Sequence, residues 1–500
     1  MNKLAKFDHQ FVWHPFTQMR NWLKREPVVI AAGKGAVLRD VQGRKYLDAN
    51  SSIWTNLHGH NHPKINAAIQ RQLKKIAHSS ALGLANEPAS LLAEKLVQLV
   101  NPKVGRAVPS APLLHTRVRR GGDTAPYLGK IFFSDDGSTA LEVALKLAYE
   151  FTRHTRPASR RRIEPRFLSL EGAYHGDTVG AVSLGHIDLF HKSYSGLLFQ
   201  TDQVMSPYCY RCPFNRAQPE RADAREYRQC NLECVGLVEK KFAAQKRRAN
   251  PYAAFVFEPL IQGAAGMIPQ PRGWLRQVTE IARDHGTLLI ADEVMTGFGR
   301  TGFSHSTLNP QPSTFLFACH HEGVQPDFLC LAKGLTGGYL PMAATLTTQK
   351  VFDAFLGEYD EFKTFFHGHS YTANQLGAAA ALASLDILQG KPSIRARQNL
   401  ERKLHDELQA LWSLPNVGDI RQVGLIAGIE LVRDWRTRKP FDLRERAGIR
   451  VCEAMARRGV LTRPVGNVIV LMPPYCTTKA QLQKIICAVF DSIREVLGKL

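Results

Sequence analysis

Between residues 130 and 348 six short apolar runs recur: KIFFS, RFLSL, AAFVFEP, TLLIADE, DFLCLA and AATLTT. Helical stretches such as LEVALKLAYEF and GWLRQVTEIARDHG lie between several of them. Uninterrupted apolar runs of strand length suit strands covered on both faces, and their alternation with helices predicts a mostly parallel sheet sandwiched between helical layers, an α/β fold. Ligands of such sheets bind beyond the carboxyl ends of the strands. The chemically capable residues Asp136, Glu258, Asp292 and Lys333 each follow an apolar run and are expected to converge there.

The stretch PDFLCLAKGLTGGYLP, residues 326–341, delivers one lysine, Lys333, from an apolar strand into a glycine-rich turn. Desolvation lowers a lysine pKa, so more of the amine is neutral and able to condense with an aldehyde cofactor. Forty-one residues upstream TLLIADEV ends a second buried strand with Asp292, a carboxylate of the kind that pairs with a pyridinium nitrogen. In SDDGSTALEVALK a strand is followed by Gly137 and by Ser138 at the start of a helix, where free N–H groups and the positive helix end suit a phosphate. Thr139 and Glu142 have the spacing of a capping box. In EGAYHGDT, residues 171–178, Tyr174 can offer a ring face to an aromatic cofactor.

Outside this central stretch, VVIAAGKGAVLRD and QGRKYLDA read as short antiparallel strands turning at Gly43. KINAAIQRQLKKI and EPASLLAEKLVQLV, residues 87–100, read as amphipathic helices. Gly105–Gly129, with its prolines and arginines, reads as a surface loop. From about residue 380 a helix, ANQLGAAAALASLDIL, and strands around GLIAGIEL and NVIVLMPPY predict a smaller α+β unit. The expected division is a large cofactor-binding domain over 76–375 and a small domain built from 1–75 and 376–500.

Five hundred residues with 44% hydrophobic content supply a large core without a spanning segment, since the longest apolar runs fall far short of membrane thickness. The first residues, MNKLAKFDHQFVWHP, carry Asp, His and Pro where a signal peptide would be apolar, so a cytoplasmic protein is expected, with no membrane partner. The net charge of +21 raises the question of nucleic acid. Much of it sits in RVRRGG (117–122), RHTRPASRRRIEPR (153–166) and KKFAAQKRR (240–248), none of which interleaves aromatic residues as a stacking surface would. These read as solvated faces, and no nucleic-acid partner is expected. Cys209, Cys212, Cys230 and Cys234 form C-x2-C-x17-C-x3-C, a spacing compatible with a structural zinc site or with four free thiols. HGHNHP, with His58, His60 and His62, lacks a convincing ligand set and reads as turn and pocket lining.

With these blocks in order, DDGSTALEVALK, YHGDTVGA, FEPLIQGAAG, IADEVMTGFGRTG, LAKGLTGGYLP and FFHGHSYTANQLG, the chain resembles the class III aminotransferases that depend on pyridoxal phosphate. The resemblance covers nearly the whole chain apart from the loop before Lys130, the basic stretch near residue 160 and residues 304–317. It implies the fold type I architecture of pyridoxal-phosphate-dependent transferases. It also implies that Lys333 carries the cofactor covalently and shuttles the proton, and that Asp292 keeps the ring nitrogen protonated. Val294 and Tyr174 would flank the ring, with Gly137 and Ser138 on the phosphate. His369 and Ser370 would complete the phosphate site of a neighbouring copy, making a homodimer the working unit, and Gly368 would line the substrate pocket.

WHPFTQM and TRPVGNVIVLMPPY are similar to the biotin-pathway branch of that class. This similarity implies 8-amino-7-oxononanoate as acceptor, its carboxylate held by Arg463, and two half reactions with ping-pong kinetics. Two departures touch the amino-donor pocket: Phe16 stands where the family often has Tyr, and Ile53 stands in place of the first member of a tryptophan pair, with Trp54 kept. Both S-adenosylmethionine and lysine therefore stay open as donors. Two other functions are weighed: a broad ω-amino acid or diamine aminotransferase using pyruvate or 2-oxoglutarate, and a basic nucleic-acid-binding protein on an inactive scaffold.

Overall fold

The computed structural model describes residues 1–101, 127–156, 164–303 and 315–498. At its centre lie seven strands: β1 (Leu128–Ser134), β2 (Phe167–Leu170), β3 (Asp202–Val204), β4 (Ala254–Phe257), β5 (Leu288–Asp292), β6 (Phe328–Leu331) and β7 (Ala343–Thr348). Their spatial order is β1-β7-β6-β5-β4-β2-β3, and only β7 runs against its neighbours. All six expected runs are strands; β3, read as DQV, offers too little apolar sequence to be seen in advance. The loop expected over 105–129 lies mostly outside the described residues, and its end is corrected, because Leu128 and Gly129 already belong to β1. Most of the basic stretch near residue 160 and of residues 304–317 also lies outside them, although Arg153 and His154 form the last turn of the helix Gly137–Thr155.

Alternation along the strands divides the core into two layers. Phe255, Phe257, Leu289, Ala291, Leu329 and Leu331 face one side, where helices Glu87–Val100, Glu233–Arg247 and Trp274–Asp284 supply Leu92, Phe242 and Trp274. Val256, Ile290, Phe328 and Cys330 face the other, against Ala140, Leu141, Ala144, Leu147 and Phe151 of helix Gly137–Thr155. Covering on both faces explains why the strands are apolar throughout.

The two termini meet beside this sheet. Ile30–Lys34, Val37–Asp40 and Lys45–Asp48 form the expected antiparallel strands, and Val460–Leu461 joins parallel to Lys45–Asp48. A second antiparallel sheet contains Val417–Val423, Ile426–Leu431, Val468–Leu471 and Pro464–Val465. No helix among the described residues is long and apolar enough to cross a membrane.

A buried charge ties this second sheet to the rest. Arg421 donates to Asp419 Oδ2 at 3.0 Å, to Glu430 Oε2 at 2.7 Å and to the carbonyl of Gly266 at 2.6 Å. Burial would raise the Glu430 carboxyl, but Arg421 and Arg211 outweigh it and hold the pKa below the usual range. Truncating one partner of such a network leaves the others buried and uncompensated. Arg421→Ala is therefore expected to cost about 3–5 kcal/mol, seen as a lowered denaturation midpoint by circular dichroism. Arg436→Ala, at an exposed ion pair with Asp434, is expected to leave the midpoint in place.

Candidate active site

A cavity of about 460 Å³ opens at the carboxyl ends of β1, β4, β5 and β6, lined among others by Trp54, Gly137, Ser138, Tyr174, Asp292 and Lys333. Lys333 leaves β6 in a short turn, Lys333–Thr336, with φ of 29°. That conformation is rarely adopted by a residue with a side chain and costs about 1–3 kcal/mol, which the surroundings must offset. Burial lowers the pKa of the Lys333 amine, while the carboxylates of Asp292 and Glu258 pull in the opposite direction. The amine sits 4.7 Å from the centroid of the Trp54 ring.

Asp292 closes β5. Its Oδ1 accepts the Val294 N–H at 3.0 Å, and its Oδ2 lies 2.7 Å from Nδ1 of the buried His175. These contacts fix the carboxylate's orientation. Glu258, just past β4, accepts the Gly263 N–H at 2.7 Å, and burial pushes its carboxyl up to about 7. His175 was not foreseen as a site residue, although its place in EGAYHGDT, directly after the ring-facing Tyr174, was the available signal.

At the helix Gly137–Thr155 the capping box differs from expectation. Asp136 is the N-cap and pairs with Thr139, while Glu142 turns away to accept from the Thr178 hydroxyl and the Gly180 N–H. The Gly137 and Ser138 N–H groups remain at the cavity wall, where they suit an anion. A Cβ on residue 137 would come within 2.7 Å of Val294 Cγ1, so glycine is what lets the helix end approach this close. Tyr174 donates its hydroxyl to Asp177 at 2.6 Å, which holds the ring at the cavity. A buried amine, a fixed carboxylate, a helix N-terminus and a ring on the wall form a donor set that fits pyridoxal phosphate.

The structure thus gathers Lys333, Asp292, Tyr174, Val294, Gly137, Ser138 and Trp54 around one cavity. Phe16, Ile53, Gly368, His369, Ser370 and Arg463 do not line it. Arg463 Nη2 donates to the Phe16 carbonyl at 3.4 Å, which brings those two together, and Ile53 is 44% exposed. His369 Nδ1 lies 3.4 Å from Oδ2 of Asp135, itself a wall residue, and the Ser370 carbonyl meets His78 Nε2 at 2.8 Å. Gly368 has nothing near the place of a Cβ.

The zinc expectation for Cys209, Cys212, Cys230 and Cys234 is not met: among the described residues no group of three or more His, Cys, Asp or Glu is placed to hold a metal ion. The segment is held instead by arginines. Arg211 bonds Glu430 at 2.7 Å and Arg438 bonds the Tyr210 carbonyl at 2.9 Å. Burial, with a smaller push from the neighbouring thiols, raises the Cys209 and Cys234 thiols to about 12 and about 11. Nor do the histidines of HGHNHP gather on a metal; His58 Nε2 meets Ser384 Oγ at 3.0 Å and His60 Nε2 meets Asp48 at 2.9 Å.

The sequence profile of the family described as Aminotransferase class-III matches residues 19–493. The chain belongs to the class III aminotransferases. It is 45% identical over 495 residues to the adenosylmethionine-8-amino-7-oxononanoate aminotransferase of Geobacter sulfurreducens, covering 99% of this chain and 98% of that one. The crystal structure of the enzyme of that name from Methanocaldococcus jannaschii superposes with a TM-score of 0.83 at 37% identity, over 99% of each chain. An amine transaminase from an uncultivated Pseudomonas species, solved with PLP bound, gives 0.81 at 30% identity over 97% of this chain and 99% of that one. The class III chain described here is a PLP-dependent aminotransferase of fold type I, as the motifs implied. The nucleic-acid-binding alternative is not favoured.

One buried group beside the site predicts a pH effect on stability. Glu293 accepts the Ala318 and Cys319 N–H groups at 2.7 and 2.8 Å, yet burial pushes its carboxyl up to about 7. The folded chain then keeps a proton there that the unfolded chain releases near pH ~4.3. Its stabilising share is complete below that value and lost as pH rises through about 7. Glu293→Gln is expected to flatten the fall of the thermal midpoint between about pH 5 and about pH 8.

Proposed function

We propose that this aminotransferase converts 8-amino-7-oxononanoate to 7,8-diaminononanoate in biotin synthesis, with S-adenosylmethionine as the amino donor. The observation that carries the reading is the likeness, over 99% of the chain, to relatives named for that acceptor and that donor. It is supported by the single cavity that the Lys333 amine and the Asp292 carboxylate both line.

Bound pyridoxal phosphate supplies an aldehyde for an amine and a pyridinium ring able to take up the electron pair left when a proton leaves the substrate carbon. Lys333 would hold the cofactor through its Nζ and would shuttle the proton between the substrate carbon and the cofactor. Asp292, oriented by His175, holds the proton on the ring nitrogen. Gly137 and Ser138 bind the phosphate with backbone N–H groups. Tyr174 and Val294 cover the two ring faces and exclude water. Arg463 takes the distant carboxylate of the keto acid as a planar bidentate donor. Phe16, Ile53 and Trp54 shape the donor side.

We further infer a homodimer in which His369 and Ser370 of one copy complete the phosphate site of the other and Gly368 lines its substrate pocket. Phe366 and Tyr371, which flank these residues, are 75% and 61% exposed, apolar surface that a second copy would cover. The division into a large unit over 76–375 and a small one from 1–75 and 376–500 belongs to the same reading, supported by the pairing of Lys45–Asp48 with Val460–Leu461. A cytoplasmic setting is supported by nine cysteines that are all free thiols.

The donor is tested by adding S-adenosylmethionine or lysine to the yellow enzyme and following the visible band. Bleaching by S-adenosylmethionine, and recovery on adding 8-amino-7-oxononanoate, is the expected result. Bleaching by lysine alone would move the donor assignment. A strong preference for pyruvate or 2-oxoglutarate over the oxononanoate would replace the acceptor with that of a broad ω-amino acid aminotransferase. Lys333→Ala is expected to abolish turnover. Arg463→Ala is expected to lose about 1.5–3 kcal/mol of acceptor binding, roughly a 10- to 100-fold rise in its KM with the donor half reaction unchanged.

A further inference from the structure

The backbone of residues 51–54 is wound the wrong way. Ser51, Ser52, Ile53 and Trp54 have φ of 47°, 47°, 64° and 69°. The Trp54 N–H donates to the Asn50 carbonyl at 2.9 Å and the Thr55 N–H to the Ser51 carbonyl at 3.0 Å, which makes a left-handed helical turn. The left-handed region favours glycine, and SSIW contains none. Two of the four residues are Ile and Trp, among the side chains least suited to it. No glycine explains the turn, so side-chain contacts must impose it.

Those contacts converge on one carboxylate. Asp48, 3% exposed, accepts the Ser52 N–H at 3.0 Å, the Ser52 hydroxyl at 2.9 Å and the Asn50 N–H at 3.3 Å. His60 Nε2 lies 2.9 Å from its other oxygen contact, Oδ2. The Asn56 side chain sets the tautomer: its Oδ1 accepts the Gly59 N–H at 2.8 Å, so its Nδ2 donates to His60 Nδ1 at 3.0 Å and leaves Nε2–H for Asp48. On the far side Ser51 Oγ donates to the Met472 carbonyl at 2.6 Å. What the turn presents is Trp54, packed on the cluster of Met295 and Met472, its Nε1–H without a partner among the described residues. Backbone and packing alone set the indole whose ring centroid lies 4.7 Å from the Lys333 amine.

We propose that Asp48 and His60 are positioning residues for the transamination: they hold the left-handed turn 51–54, and through it the Trp54 indole, against the Lys333 amine. The inference rests on Lys333 being the reactive amine. Neither side chain touches the cavity, and both act on the chemistry only through the placement of Trp54.

The test compares Asp48→Ala and His60→Ala, each alone and combined with Ser52→Gly, in the pyridoxal-phosphate-loaded enzyme. Glycine at 52 adopts φ near 47° without strain, so it replaces the latch by making it unnecessary. Asp48→Ala is expected to keep the visible band, to move the pH at which that band changes, and to lower kcat by about tenfold with acceptor KM within about twofold. His60→Ala, which leaves the Ser52 bonds, is expected to do the same more weakly. Adding Ser52→Gly is expected to recover most of the loss, and Thr55→Gly, where φ is −89°, is not. Should Asp48→Ala fail to fold, the His60→Ala pair decides alone. An unchanged band titration and kcat in the folded variants, or equal rescue by Thr55→Gly, would overturn the proposal. Failure of the underlying reading is separable, since it shows as a visible band that survives Lys333→Ala.

Discussion

Burying an amine and a carboxylate at the same cavity is the constraint on which the rest of this structure depends. Desolvation penalises each charge alone, and their mutual attraction offsets part of the penalty. At Lys333 burial lowers the pKa while Asp292 and Glu258 raise it, and burial prevails. At Glu258 burial prevails too, so one of the two carboxyls near the amine takes up a proton at about 7. Asp292 has a side-chain hydrogen-bond partner that Glu258 lacks, His175 at 2.7 Å. The site therefore separates two similar groups by environment: one carboxylate oriented for a pyridinium, the other sitting near neutrality on two backbone N–H groups.

The sheet explains why these groups meet. Strands β4, β5 and β6 are parallel neighbours, so residues just past their ends, Glu258, Asp292 and Lys333, fall side by side although up to seventy-five positions separate them in sequence. The one reversed strand, β7, brings Pro341 and Met342 to the same edge from its amino end. Apolar strands covered on both faces are what bury the sheet beneath that end.

This much is legible in the sequence, because apolar runs and the residue that ends each one are local features. Lys333, Asp292, Gly137, Ser138 and Tyr174 were readable on that ground, and the cavity contains all five. What could not be read depends on distant contacts. His175 gains its meaning only from Asp292, 117 positions away. The capping box was misplaced by one turn because Glu142 prefers the backbone of Gly180, a partner invisible at helical spacing. The cysteine spacing leaves zinc and free thiols equally open, and arginines reaching to Glu430 and to carbonyls hold that segment. Phe16 and Arg463 were named separately, and their contact across 447 positions appears only in the fold.

The left-handed turn is the extreme of this pattern. Its sequence, SSIW, argues locally for a right-handed or extended backbone, and the chain adopts neither. Local preference and global structure are expected to disagree where function selects the conformation, since elsewhere such conflict only costs stability. Lys333, with φ of 29°, is another residue with a side chain in the left-handed half of the map, and its amine lies over the Trp54 ring. Both backbones converge on one amine–indole contact. The energy that holds them comes from Asp48 and from the buried strand β6, so the geometry of the contact is set by the rigid parts of the fold rather than by the residues that form it.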